Sequence, residues 1–116
     1  MCLDTSMSSQ ELKARLVADA APLLVDVRKQ PAYDADDAVI PGARRGAPEA
    51  LAEWSAGLPA DAEIVVYCVH GHEVSQGAAQ ALRDRGFTAR FLAGGIEVWR
   101  DAGGPTAPKA AAGTIA

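Results

Sequence analysis

Three short apolar runs interrupt an otherwise mixed chain: Leu23-Leu24-Val25-Asp26-Val27, Ile64-Val65-Val66-Tyr67 and Ala89-Arg90-Phe91-Leu92. Runs of this length without polar alternation predict strands covered on both faces. Between them, Pro48 to Ser55 and Ser75 to Arg85 carry helical patterns. Strands alternating with helices predict parallel strands joined by right-handed crossovers, an α/β sandwich. Ser8-Ser9-Gln10-Glu11 has the form of a capping box, and Leu12, Leu16 and Val17 follow at helical spacing, so a helix is expected over 9–19. Gly86 ends the Ser75–Arg85 helix. Gly94-Gly95 turns the chain into a last helix, Ile96 to Ala102, closed by Gly103-Gly104-Pro105. Ala38-Val39-Ile40, before the Pro41-Gly42 turn, is a candidate fourth strand.

The ends lack such patterning. Residues 1–7 are polar and are expected to be a flexible start, and residues 105–116, with two prolines and no periodicity, a disordered tail. One domain, over 8–104, is what remains, and 116 residues allow no more. Of 57 apolar residues 25 are Ala, so the core depends on close approach of small side chains. A net charge of −4 argues against nucleic acid and anionic membrane as partners. No apolar stretch approaches the roughly 20 residues of a membrane span, and the first residues lack the basic and apolar pattern of a secretion signal. Two cysteines, Cys2 and Cys68, make no disulfide framework, which favours a reducing, cytoplasmic setting.

The chemistry concentrates in one segment. The buried strand Ile64–Tyr67 delivers Cys68 to its carboxyl end, where ligands collect in open α/β sheets. The loop Val69-His70-Gly71-His72-Glu73-Val74 follows, and then a helix for which Ser75 is a candidate N-cap. A loop that curls around a sulfur into a helix start aims several main-chain N–H groups at one point. Those donors favour thiolate over thiol and could equally hold substrate oxygens or an added sulfur. Gly71 permits the turn, while Gly77, Ala78 and Ala79 are expected to seat the helix closely on the sheet. The opposing reading, a buried cysteine that merely finishes a strand, accounts for neither the polar loop nor the abrupt helix start.

This segment resembles the active-site loop of rhodanese-like sulfurtransferases. Three further pieces occur in the family's order: Leu23-Leu24-Val25-Asp26-Val27-Arg28, Ile40-Pro41-Gly42-Ala43, and Leu92-Ala93-Gly94-Gly95-Ile96-Glu97-Val98-Trp99. The resemblance covers residues 9–104. It implies a three-layer sandwich with a central parallel sheet of four to five strands flanked by helices. It also implies that Cys68 accepts a sulfane sulfur from thiosulfate or a persulfide and passes it to cyanide or a thiol, including a thiol on a protein. Two displacements at one nucleophile need neither a metal nor an organic cofactor. By the same resemblance Asp26 and Arg28 support the loop and do no chemistry; their opposite charges near a sheet edge point to a structural pair.

Several residues remain open. Residues 69–75 contain no Lys or Arg and one acid, Glu73. A carboxylate about 6 Å from an anion would cost roughly 3 kcal/mol at an effective dielectric of 20, less when solvated. Thiosulfate is thereby disfavoured relative to a persulfide donor. His70 and His72 either bond the sulfur or a bound anion or are solvated loop residues. Cys68-x-His70-x-His72 has metal-ligand types, but zinc sites draw on separated pairs and Cys2 stands in the tail, so no metal is expected. Val39 stands where the family often has His. Arg44-Arg45 and the acids Asp34, Asp36 and Asp37 are expected to be solvated, and Trp99 to pack in the core. A phosphatase or arsenate reductase would need an Arg six residues after the cysteine, where Val74 stands. A non-catalytic sensor or interaction module, or a sulfur-relay carrier, are the competing functions.

Overall fold

The computed structural model describes residues 6–18, 22–59, 61–70, 73–108 and 113–114. Its elements in chain order are β1 (Ser6–Met7), α1 (Ser9–Val17), β2 (Leu23–Asp26), α2 (Gln30–Ala35), β3 (Ala38–Val39), β4 (Arg44–Arg45), a 3-10 turn (Pro48–Ala50) with α3 (Leu51–Ser55), β5 (Glu63–Tyr67), α4 (Glu73–Asp84), β6 (Thr88–Leu92), α5 (Gly95–Asp101), β7 (Ala107–Pro108) and β8 (Gly113–Thr114). Five parallel strands in the order β1-β6-β5-β2-β4 form the central sheet, with β8 added beyond β4. A separate antiparallel pair joins β3 to β7.

The unalternated strands are explained by a core on each face of the sheet. Along β5, Val65 and Tyr67 join Leu24, Leu92, Ile96 and Trp99 on one face, with Leu12 of α1. Ile64 and Val66 join Val25, Trp54, Ala78, Ala79, Leu82 and Ala89 on the other, beneath α3 and α4. Successive side chains of a strand point to opposite faces, so an apolar run is needed when both faces are covered. The two tryptophans fall in different layers, and each indole N–H is bonded, Trp54 to the Ala47 carbonyl and Trp99 to that of Pro105.

Ser8 caps α1 through its hydroxyl, which accepts from the Glu11 N–H at 3.0 Å. Other boundaries differ from expectation. Ser6 and Met7, assigned by their polar surroundings to a flexible start, form the edge strand β1, with Met7 fully buried. Residues 107–108 and 113–114, within the expected disordered tail, are paired strands. Ala38–Val39 is a strand but lies outside the central sheet, whose remaining position is taken by β4. Arg45 is buried rather than solvated: its Nη1 donates to the carbonyls of Asp26 and Arg28, and its guanidinium lies 4.3 Å from the Tyr33 ring centroid.

Candidate active site

The register of the sheet sets out the site. Asp26 lies beside Tyr67, so β2 and β5 end level with one another. The next residues of the two strands, Val27-Arg28-Lys29 and Cys68-Val69-His70, leave the sheet side by side. Between them opens a pocket of about 400 Å³, lined by Cys68, Val69, His70 and Val74 on one side and Arg28, Lys29 and Ala32 on the other. Cys68 is 6% exposed and is part of the pocket lining.

Helix α4 begins at Glu73, so Ser75 is a first-turn residue and not the cap. Its fully buried hydroxyl lies 3.2 Å from the Cys68 sulfur, which donates to it. A hydroxyl can rotate to donate in turn, so the same contact serves thiol and thiolate. The start of α5 holds the other side of the loop. The Ile96 N–H donates to the Cys68 carbonyl at 3.0 Å and the Glu97 N–H to the Val69 carbonyl at 3.1 Å. This approach requires Gly95: at φ +64 it takes a conformation that side chains resist, and a Cβ would overlap both carbonyl oxygens. His70 is half exposed, with Nδ1 at 3.4 Å from Glu97 Oε2. Gly71 and His72 lie outside the described residues, as does Cys2; of Glu73 only the backbone, at the head of α4, is described.

Beneath the pocket lies a dense polar network. The Arg28 side chain is fully buried; its Nε donates to both oxygens of Asp26 at 3.0 Å and its Nη2 to Oδ2 at 2.6 Å. Further donations reach Asp36 and the Ala38 carbonyl. Burial opposes the charge on Arg28, but the hydrogen bonds and charge of Asp26 outweigh it and raise its pKa. The Tyr67 hydroxyl donates to Asp26 and accepts from the Ile40 N–H, and burial, then the Asp26 charge, push its pKa strongly up. Asp36, expected to be solvated, bridges Arg28 and Arg100.

A family model, the Rhodanese-like domain, matches residues 8–102. The chain belongs to this rhodanese-like family. Over 88 residues it is 35% identical to the thiosulfate sulfurtransferase GlpE of Pseudomonas fluorescens (strain SBW25), covering 75% of this chain and 78% of that protein. A GlpE of Stutzerimonas stutzeri (strain A1501) is 33% identical over 89 residues, covering 76% and 79%. Among solved structures, the Alr3790 protein from Anabaena sp. superposes with a TM-score of 0.76 at 32% identity, covering 88% and 81%. A rhodanese-related protein from Thermoplasma volcanium shares the fold with a TM-score of 0.74 at 24% identity, covering 88% and 96%. These relatives place the rhodanese-like chain among sulfurtransferase-family proteins.

Three features of the rhodanese-like site are absent from, or differ from, the expectations drawn from the sequence. Lys29 contributes an exposed cation to a pocket whose loop has no Lys or Arg between 69 and 75, because strand register brings it across from β2. Ser75 holds the sulfur rather than the helix end. Gly77 does not seat α4 on the sheet: Ala78 and Ala79 do so, while Gly77 is exposed with open space where a Cβ would stand. The paired glycines Gly94-Gly95 at the start of α5 are the sequence signal for the clamp. No helix among the described residues is long and apolar enough to cross a membrane.

Proposed function

We infer that this protein is a sulfurtransferase that carries sulfane sulfur on Cys68. The observation that supports this most is a cysteine at the carboxyl end of β5, on the wall of an open pocket, whose sulfur makes a 3.2 Å contact with the buried Ser75 hydroxyl. In the first half-reaction the Cys68 thiolate attacks the outer sulfur of thiosulfate, expelling sulfite, or that of a persulfide, expelling its thiolate. The product is a Cys68 persulfide. Cyanide then attacks the terminal sulfur and leaves as thiocyanate, or a thiolate attacks it and leaves as a new persulfide; either returns the Cys68 thiolate. The electron pairs balance without a metal or an external oxidant, and the kinetics are ping-pong.

Main-chain N–H groups of residues 69–74 are the donors we assign to the bound sulfur, with Ser75 as a further one. Asp26 and Arg28 position the loop from below. Lys29 supplies the positive charge that the loop lacks, which eases the penalty expected for thiosulfate from Glu73. A persulfide, which carries less charge, remains the donor least opposed by this site. Because the reaction needs a free thiolate, a reducing compartment such as the cytoplasm suits it.

Intact-protein mass spectrometry after exposure to thiosulfate or a small persulfide tests the reading. The expected result is a gain of one sulfur in the wild type and none in Cys68→Ala, together with thiocyanate formation from cyanide. No gain with either donor would reject catalysis and leave a sensor or interaction module.

A further inference from the structure

Beside the Cys68 pocket runs a larger cleft of about 590 Å³ that shares Lys29 and Val74 with it. Its floor is a flank of α4, where exposed Gly77 adjoins the core-facing Ala78 and Ala81, and its walls are Pro31 at the start of α2 and Pro48 with Leu51. The cavities beside Trp99 and along α1 share no lining residue with the Cys68 pocket.

Two local choices in this cleft work against helix formation and have no structural return. Gly77 stands inside α4, where glycine is a poorer helix former than alanine. No atom lies within 4 Å of the Cβ it lacks, and its φ is ordinary, so neither packing nor backbone conformation requires glycine. What a side chain would occupy is cleft volume. Lys29 is the N-cap of α2, a position suited to Ser, Thr, Asp or Asn, and makes no capping bond. Arg28 next to it is fully engaged by Asp26 and Asp36, whereas no carboxylate among the described residues pairs with Lys29. Positions that break a local rule without structural gain mark function.

The geometry points to the cleft as the subsite for an organic thiol acceptor: sulfur toward Cys68, a carboxylate or similar anion paired with Lys29, and an apolar body lying across Gly77 toward Pro48. Glu49 on the far wall disfavours a second anion there, so the body is uncharged. The chemistry rests on the sulfurtransferase reading. The acceptor thiolate attacks the terminal sulfur of the Cys68 persulfide, a sulfur–sulfur bond forms as one breaks, and Cys68 leaves as thiolate.

N-acylcysteines separate the parts of this proposal. With Cys68 loaded, kcat/KM for N-hexanoyl-L-cysteine is expected to exceed that for N-acetyl-L-cysteine about tenfold, and Gly77→Leu to bring the ratio within twofold of one. In the wild type the hexanoyl acid is expected to be favoured about fivefold over its cysteinamide, and Lys29→Gln to remove that preference. A wild type indifferent to chain length, or a chain-length preference that survives Gly77→Leu, overturns the proposal. Gly77→Leu is expected to fold, since its side chain enters open space; thermal melting checks this. If Cys68 takes up no sulfur, the sulfurtransferase reading fails and the cleft is judged separately by titration with N-hexanoyl-L-alanine. Amide NMR shifts at Val74 and Ala81 in the wild type, absent in Gly77→Leu, uphold the cleft, and their absence from the wild type rejects it.

Discussion

The two strand ends that frame the pocket are built in opposite ways. On the β2 side, Asp26, Arg28, Asp36 and Tyr67 are joined by hydrogen bonds, most of them buried, and Arg45 donates through Nη1 to the main-chain carbonyls of Asp26 and Arg28. On the β5 side, the Cys68 sulfur has one polar side-chain contact among the described residues, with Ser75, and two amides of α5 hold the carbonyls of Cys68 and Val69. A buried, densely paired charge cluster has few low-energy arrangements, because each lost pairing is costly. The nucleophile proposed at Cys68 needs the reverse, a sulfur held in place yet left unsatisfied enough to react. The contrast teaches that placement is delegated: the β2 cluster and the α5 clamp flank the loop that carries the sulfur, and among the described residues the polar side chains touching it are few.

Breaking the β2 side should produce the largest effect. Arg28→Ala leaves Asp26 buried beside unmatched partners, and stability in urea is expected to fall by about 3–5 kcal/mol. Arg28→Lys should recover only part of this, since an ammonium cannot reproduce the forked contacts. Next comes the clamp. Gly95→Ala is expected to cost about 1–3 kcal/mol for the strained φ, and sulfur loading of Cys68 should slow at least tenfold as the loop carbonyls are displaced. A variant that loads normally would show that the clamp does not position the sulfur.

Removing the contact at the sulfur sharpens the comparison from the other side. Ser75→Ala should lower stability by no more than about 1 kcal/mol while kcat for loading drops severalfold. Loss of stability without loss of rate would instead make Ser75 part of the packing. The smallest effect is a pH dependence. Burial pulls the Asp36 pKa up, but the Ala38 N–H bond and the charges of Arg100 and Arg28 carry it below the usual carboxylate value. A depressed native pKa adds stability above the unfolded value near pH 4 and loses it as pH falls through the native one. Asp36→Asn should therefore be less stable near neutrality and show a shallower acid limb, measured by thermal melts from pH 7 to 3.

The long elements were legible because each carries its own signal. The Ser8–Glu11 cap, the three apolar runs and the Gly94-Gly95 turn all mark structures that were found. The two-residue strands β1, β4, β7 and β8 have no pattern of their own; a longer partner strand or a neighbouring segment defines them. Asp26 and Arg28 could be read as a pair because they stand two apart on one side of a strand end. Arg45 and Asp36 could not, since charge alone suggests solvent, and only the fold brings them to buried partners. Lys29 and Cys68, distant in sequence, become neighbours through the β2–β5 register. Seating α4 on the sheet was foreseeable from its small residues, but which of them faced outward depended on the helix phase, and Gly77 was placed on the wrong side.

The separation of Trp54 and Trp99 onto opposite faces of the sheet supplies two intrinsic fluorophores, one for each layer. Replacing either with phenylalanine leaves a single emitter that follows its own half of the molecule during denaturation. Superimposable curves from the two emitters would mean that both halves melt as one cooperative unit, whereas an early Trp54 transition would mean that the layer bearing α4 loosens first.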